Sequence, residues 1–162
     1  KSLYIMVGPS GSGKSTLAKQ ILTEHMKNPG SSGIICSADQ YFMRSGEYKF
    51  DPQKLGMAHS QCQANAKDAM SKSVEVVIID NTNLSLSEMM PYVAMGFTFG
   101  YNIYFCSPQT EWFDNPTVLA EKNTHGVPFA KCSAMVQKMN NAGDLKYRVE
   151  FFKKQFNYEN IS

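Results

Sequence analysis

The sequence predicts a three-layer α/β domain, a central parallel sheet with helices on both faces. Three observations predict it. Short apolar runs of strand length alternate with longer stretches whose apolar residues recur at helical spacing. The connections between them are short, as parallel strands joined by crossover helices require. A glycine-rich turn joins the first apolar run to the first helical stretch.

Leu3-Tyr4-Ile5-Met6-Val7 reads as a fully buried strand ending at Gly8. A helix opens near Lys14, with Leu17, Ala18, Ile21 and Leu22 on one face. Asn28 to Gly33 is a loop by composition, and Ile34-Ile35-Cys36 is a second strand closing at Ser37-Ala38-Asp39. A polar, aromatic-containing loop runs from Gln40 to Phe50. Asp51 and Pro52 form an N-cap and first helical residue. The buried face of that helix carries Leu55, Ala58, His59, Cys62, Ala66, Ala69 and Met70. Val74 to Ile79 is the strongest strand and ends in Asp80. Ser85-Leu86-Ser87-Glu88 is a capping box for a helix through about Met95. Tyr101 to Cys106 is a further strand, followed by a loop with Trp112. Helices are expected from Pro116 to Asn123, Pro128 to Asn140 and Leu145 to Phe156.

The 162 residues suit one domain, 1–162, and the chain begins without Met directly at a strand, so it is expected to be part of something longer. Net charge is +2, which excludes a global basic field for nucleic acid; a polyanion site must be local. All but two of the 16 basic residues are lysines, the exceptions being Arg44 and Arg148. Cys36, Cys62, Cys106 and Cys132 have no metal-ligand spacing and read as buried reduced thiols. No stretch is long and apolar enough for a membrane helix, and no signal peptide is evident, so the expected location is cytoplasmic or nuclear.

Gly8-x4-Gly13-Lys14-Ser15, between a strand and a helix, has the context of a phosphate-binding loop. Glycines let successive N–H groups converge on an anion, and the helix start adds unpaired donors. The cradle is expected to comprise Gly8, Pro9, Ser10, Gly11, Ser12, Gly13, Lys14, Ser15 and Thr16. Lys14 would reach the β- and γ-phosphates of ATP or GTP, and Ser15 would ligate Mg²⁺. The fold class is therefore a three-layer P-loop NTPase/kinase fold with a central parallel sheet, to which the family that the later motifs resemble would add a helical lid. Ligands of such sheets lie beyond the carboxyl ends of the strands, where Asp39 and Asp80 both stand. One carboxylate can position Mg²⁺ and another can accept a proton from an attacking hydroxyl. Spacing alone leaves their assignment open.

Ser37-Ala38-Asp39-x-Tyr41, Asp80-Asn81-Thr82-Asn83-Leu84 and Asn123-Thr124-His125-Gly126-Val127 together resemble the polynucleotide kinase-like P-loop family. That group includes the phage 5′-OH polynucleotide kinase, animal kinase domains within larger proteins and, further off, the amino-terminal domain of the myelin cyclic-nucleotide phosphodiesterase. The resemblance implies transfer of the ATP γ-phosphate to the 5′-hydroxyl of an RNA or DNA end, with Asp39 as general base and Lys14 as the phosphate lysine. It also implies Asp80 as a magnesium or water-binding carboxylate and Thr82 and Asn83 as residues shaping the site. On the acceptor side, Tyr41, Phe42, Tyr48 and Phe50, interleaved with Arg44 and Lys49, could either stack a base and neutralise a phosphate or pack together beneath a lid loop. Lys122 stands where the family usually carries a lid Arg, a point charge in place of a bidentate fork. That departure keeps two other readings in view: a nucleotide-binding interaction module with little turnover, and a small-molecule kinase of the same fold. His125 is expected to order a lid turn, and no histidine is expected at the chemistry.

Overall fold

The computed structural model describes residues 1–162, with Arg44 described by its backbone alone. The role expected of the Arg44 side chain therefore lies outside the described residues. Four parallel strands form the main sheet: β1 (Ser2–Met6), β2 (Gly33–Cys36), β5 (Val76–Ile79) and β6 (Asn102–Cys106), in the order β2-β5-β1-β6. β5 is buried along its whole length, as its unbroken Val-Val-Ile-Ile run predicts for a strand covered on both faces. Beyond β6, Ile161 adds a parallel bridge to Ile103.

Side chains alternate across the sheet, so each strand feeds two cores. On one face Met6, Val76 and Ile78 pack against α1 (Lys14–Met26) through Ala18, Leu17, Ile21 and Leu22. On the other, Leu3, Ile5, Val77, Ile79, Ile103 and Phe105 meet three helices. These are α2 (Leu55–Ser71), α3 (Leu86–Thr98) and α6 (Leu145–Phe156). Helix α3 lies unusually close: a Cβ on Gly96 would stand 2.7 Å from Ile103 Cδ1 and 2.8 Å from Leu3 Cδ2. This is the predicted three-layer α/β P-loop architecture, with one helix on one face and three on the other.

The lid consists of α4 (Pro116–Lys122) and α5 (Phe129–Asn141), joined by a short turn. Asn115 caps α4 by accepting from the N–H groups of Thr117 and Val118. The capping box at α3 closes one residue wider than expected. Ser85 accepts from Glu88 N, while the Glu88 carboxylate accepts from Leu84 N at 2.8 Å instead of from the cap residue.

The stretch from Gln40 to Phe50 departs from the loop expected. A 3₁₀ turn (Ala38–Phe42) leads into a hairpin of β3 (Met43–Arg44) and β4 (Glu47–Tyr48). Ser45 and Gly46, with φ of 53° and 79°, make the two-residue connection that such hairpins favour. Asp51 and Pro52 do start a helical segment, but its first turn, Pro52–Lys54, is 3₁₀ before α2 begins.

Candidate active site

Between β1 and α1 the chain wraps through Gly11 (φ 85°) and Gly13 (φ 106°), conformations that favour glycine. Gly11 is also a point of close approach. A Cβ there would lie 2.6 Å from the Leu119 carbonyl and 3.0 Å from Asn123 N, so the end of α4 rests on the loop. Lys14 is buried, and its ammonium donates to the Pro9 carbonyl at 2.9 Å. Burial lowers its pKa to about 8, with Asp80 and Asp39 opposing the drop.

The ends of β2 and β5 are tied together by Asn81, whose side-chain oxygen accepts from Ala38 N at 2.8 Å. That link sets the two acidic turns side by side. Asp80 accepts a hydrogen bond from the Ser15 hydroxyl at 2.7 Å. Asp39 is oriented by the Ser37 hydroxyl, which accepts from its N–H, and its carboxylate is half exposed. One carboxylate oxygen accepts from the Tyr48 hydroxyl at 3.2 Å, and the other lies 3.3 Å from His125 Nε2. Burial first, and then the Asp39 carboxylate, raise the Tyr48 pKa, which keeps the phenol protonated as a donor.

His125 reaches Asp39 because Asn123 shapes the lid turn. The Asn123 amide nitrogen donates to the carbonyls of Leu119, Ala120 and Val127, and its oxygen accepts from the N–H groups of His125 and Val127. Also on the lid, the Lys122 ammonium sits 4.2 Å from the centroid of the Trp112 ring, and Trp112 donates to the Gly11 carbonyl at 3.0 Å.

These groups enclose one cavity of about 330 Å³. Ser10, Gly11, Gly13, Lys14, Ser15 and Thr16 line it from the phosphate loop, Asp39, Asp80 and Thr82 from the strand ends, and Lys122 and His125 from the lid. Five expected residues, Gly8, Pro9, Ser12, Tyr41 and Asn83, lie outside this lining. The Pro9 carbonyl is spent on Lys14. Ser12 is buried, and its hydroxyl has no partner among the described residues. Tyr41 stands outside, edge-on to Phe42 with its hydroxyl 3.9 Å from the Met57 sulfur. Asn83 is turned away, its buried amide donating to the Met6 carbonyl at 2.7 Å, so it supports the loop without facing a ligand. Gly8 contributes through its N–H, which donates to the Thr82 carbonyl.

Sequence reasoning missed His125 and Tyr48 as partners of Asp39. The available signal was local, a histidine in a turn ended by Gly126 at φ 69°; the contact it makes is with a residue far along the chain.

The donor set fits Mg²⁺. A hydroxyl and a carboxylate in contact are hard oxygen donors of the kind that Mg²⁺ takes alongside phosphate oxygens and water. Ser15 and Asp80 are the residues that would hold it.

A family model described as an AAA domain matches residues 3–142, from the first strand through the lid. The chain belongs to this AAA domain family. Its P-loop kinase-like kinship, read from the motifs around Asp39, Asp80 and His125, is borne out among similar proteins. Human NEDD4-binding protein 2 is 43% identical over 135 residues, covering 83% of this chain and 7% of that protein. Mouse 2′,3′-cyclic-nucleotide 3′-phosphodiesterase is 28% identical over 123 residues, covering 76% of this chain and 27% of that enzyme. The family domain thus spans a small part of either relative. The fold matches a chain in the structure of the Pnkp1/Rnl/Hen1 RNA repair complex, with a TM-score of 0.63 and 20% identity over 87% of this chain and 44% of that one.

Proposed function

We propose that the domain transfers the γ-phosphate of ATP to the 5′-hydroxyl of a nucleic-acid end. The observation that carries this reading is the half-exposed Asp39 carboxylate facing the same cavity as Lys14 and Ser15. The acceptor hydroxyl replaces one of the two groups on Asp39 and gives its proton to the freed oxygen. Its own oxygen forms the new bond to the γ-phosphorus as the bond to the β-phosphate bridge breaks, releasing ADP. Lys14 exchanges the Pro9 carbonyl for phosphate oxygens, and Lys122 offers a second cation from the lid. Mg²⁺, held by Ser15 and Asp80, would neutralise charge on the phosphates.

The test offers labelled ATP to 5′-hydroxyl RNA, 5′-hydroxyl DNA and a free nucleoside in one mixture, with Lys14→Ala as control. Label on the oligonucleotide ends, lost in Lys14→Ala, is the expected result. Label on the nucleoside alone would make this a small-molecule kinase. A second reading, nucleotide binding with little turnover, draws support from Lys122 resting on Trp112, a point charge where a fork would hold the transferring group more firmly. Firm nucleotide binding without label on any acceptor would favour it.

A pH effect follows from the burial of Lys14. Its ammonium titrates at about 8 in the free protein, and adjacent phosphates favour the charged form. Below that pH the lysine is charged before and after binding; above it, binding takes up a proton. Affinity for ATP should therefore fall as pH rises past about 8, by up to about tenfold per unit. Calorimetry in buffers of different ionisation enthalpy should read proton uptake near pH 9 and almost none from this group near pH 7. For the free protein the sign is reversed. Its folded pKa lies below the unfolded one, so the burial penalty is fully present below about 8 and relaxes at higher pH.

A further inference from the structure

Trp112 takes no part in the proposed transfer, yet its loop is strapped to the phosphate cradle. Two successive cradle carbonyls accept from it: Ser12 from the Thr110 hydroxyl at 2.8 Å, and Gly11 from the indole N–H at 3.0 Å. The Trp112 carbonyl in turn accepts from Asn115 N, and Asn115 caps α4. One short stretch thus joins the phosphate loop to the start of the lid, and Lys122 is the last residue of α4. Its ammonium comes back over the indole, 4.2 Å from the ring centroid. Both side chains line the cavity that Lys14 and Ser15 also line.

A lysine on a flexible stem leaves its charge unplaced, where an arginine fork would be preorganised. A ring face answers that defect. Tryptophan attracts a cation more strongly than the other aromatic side chains, and this one is held by both its N–H and its carbonyl. A carboxylate would hold the ammonium too, but it would repel the phosphates and compete with them for the N–H groups. Among the described residues no carboxylate lies within ion-pair distance of Lys122, although Glu111 and Asp114 stand beside Trp112 in the chain and Glu121 precedes Lys122. The neutral ring covers one side of the ammonium and leaves donors for the cavity.

We infer that Trp112 is a positioning residue: its ring holds the Lys122 ammonium beside the phosphate loop, ready for the phosphates of the bound nucleotide. This rests on the reading of the cavity as an ATP site. Trp112 touches no reacting atom and acts through Lys122 alone. With the stem already ordered against the ring, the lysine gives up little further freedom when the nucleotide arrives. The straps at Gly11 and Ser12 keep the ring, and with it the charge, in register with the loop that cradles the phosphates.

Calorimetric titration with MgATP tests this in a double-mutant cycle of Trp112→Leu and Lys122→Ala. Trp112→Leu should weaken ATP binding about threefold or more, and Lys122→Ala at least as much. In the Lys122→Ala background, Trp112→Leu should cost less than about 1.5-fold, because the ring has no ammonium left to hold. Trp112→Phe keeps a ring face without the N–H and should retain most of the affinity. Binding by Trp112→Phe as weak as that of Lys122→Ala would place the effect in the indole N–H and overturn the proposal. Unchanged melting temperatures show that the variants remain folded. Equal losses from Trp112→Leu with and without Lys122 would make Trp112 a support of the loop alone and overturn the proposal. Unchanged affinity in Trp112→Leu or Lys122→Ala would do the same, as would a wild type that binds no ATP. Coupled losses of ATP binding, without phosphate transfer to any acceptor, uphold the proposal while the kinase reading fails. Transfer by the wild type with independent losses does the reverse.

Discussion

Asp39→Asn should lower kcat for phosphate transfer roughly 10²–10⁴-fold while leaving nucleotide affinity within about twofold. The substitution preserves size and can still accept from Tyr48, so the hairpin has no cause to move. What it removes is the negative oxygen able to take a proton, the one facing His125 across 3.3 Å. The phosphate side of the cavity, built from Lys14, Ser15 and Asp80, has no direct bond to Asp39. Its electrostatic support of Lys14 is the smaller of the two carboxylate effects there. Single-turnover transfer measures the chemistry. Nucleotide affinity can be read from the fluorescence of Trp112, the only tryptophan, which lines the cavity. Full transfer by Asp39→Asn would move the base elsewhere, Asp80 being the remaining carboxylate in the cavity. Loss of nucleotide binding together with transfer would mean that Asp39 acts on the fold and not on the acceptor.

The division of labour around Asp39 was partly legible in the chain. Apolar runs ending in Asp39 and Asp80 announce strands that deliver carboxylates to one edge, because a parallel sheet presents all its carboxyl ends together. Helix α6 spans Leu145–Phe156, as expected, and the structure shows both of its ends chemically marked. Asp144 accepts from Tyr147 N at its start, and Asn157 takes a left-handed φ of 48° at its end. The hairpin of β3 and β4 was not legible, since two-residue strands are too short to express a period of two. Asn83 misled for another reason. It follows Asp80 and Thr82 in a motif facing the site, but its φ of 46° turns it inward. His125 and Tyr48 meet Asp39 only after the lid and hairpin fold over it, and no local pattern encodes that meeting.

Arg148 is the extreme case, and its removal should be the most destabilising single change argued here. In sequence it is one charge on a helix that also carries Lys146, Lys153 and Lys154, and nothing marks it as interior. In the fold it is fully buried, and its guanidinium donates to four carbonyls: Gly143, Asn83, Leu84 and Met139. Burial lowers its pKa, with Glu88 and Asp144 favouring its charge. The planar fork is what allows one side chain to serve groups from two separate stretches, Asn83–Leu84 and the end of α5, and a lysine in its place would reach fewer of them. Arg148→Ala leaves these carbonyls without their donor and opens a cavity, and should lower stability by roughly 3–5 kcal/mol. For a chain of this size that is a fall in melting temperature of about 10 °C or more. Arg148→Lys should recover only part of the loss. Thermal unfolding followed by circular dichroism reads both, and a shift of only a few degrees in Arg148→Ala would show the network to be nearly neutral. The damage should also reach the cavity. Asn83 and Leu84 continue directly from Thr82, whose carbonyl accepts from Gly8 N. Releasing that segment loosens the phosphate loop from behind, so nucleotide affinity should fall in Arg148→Ala even at temperatures where the chain remains folded.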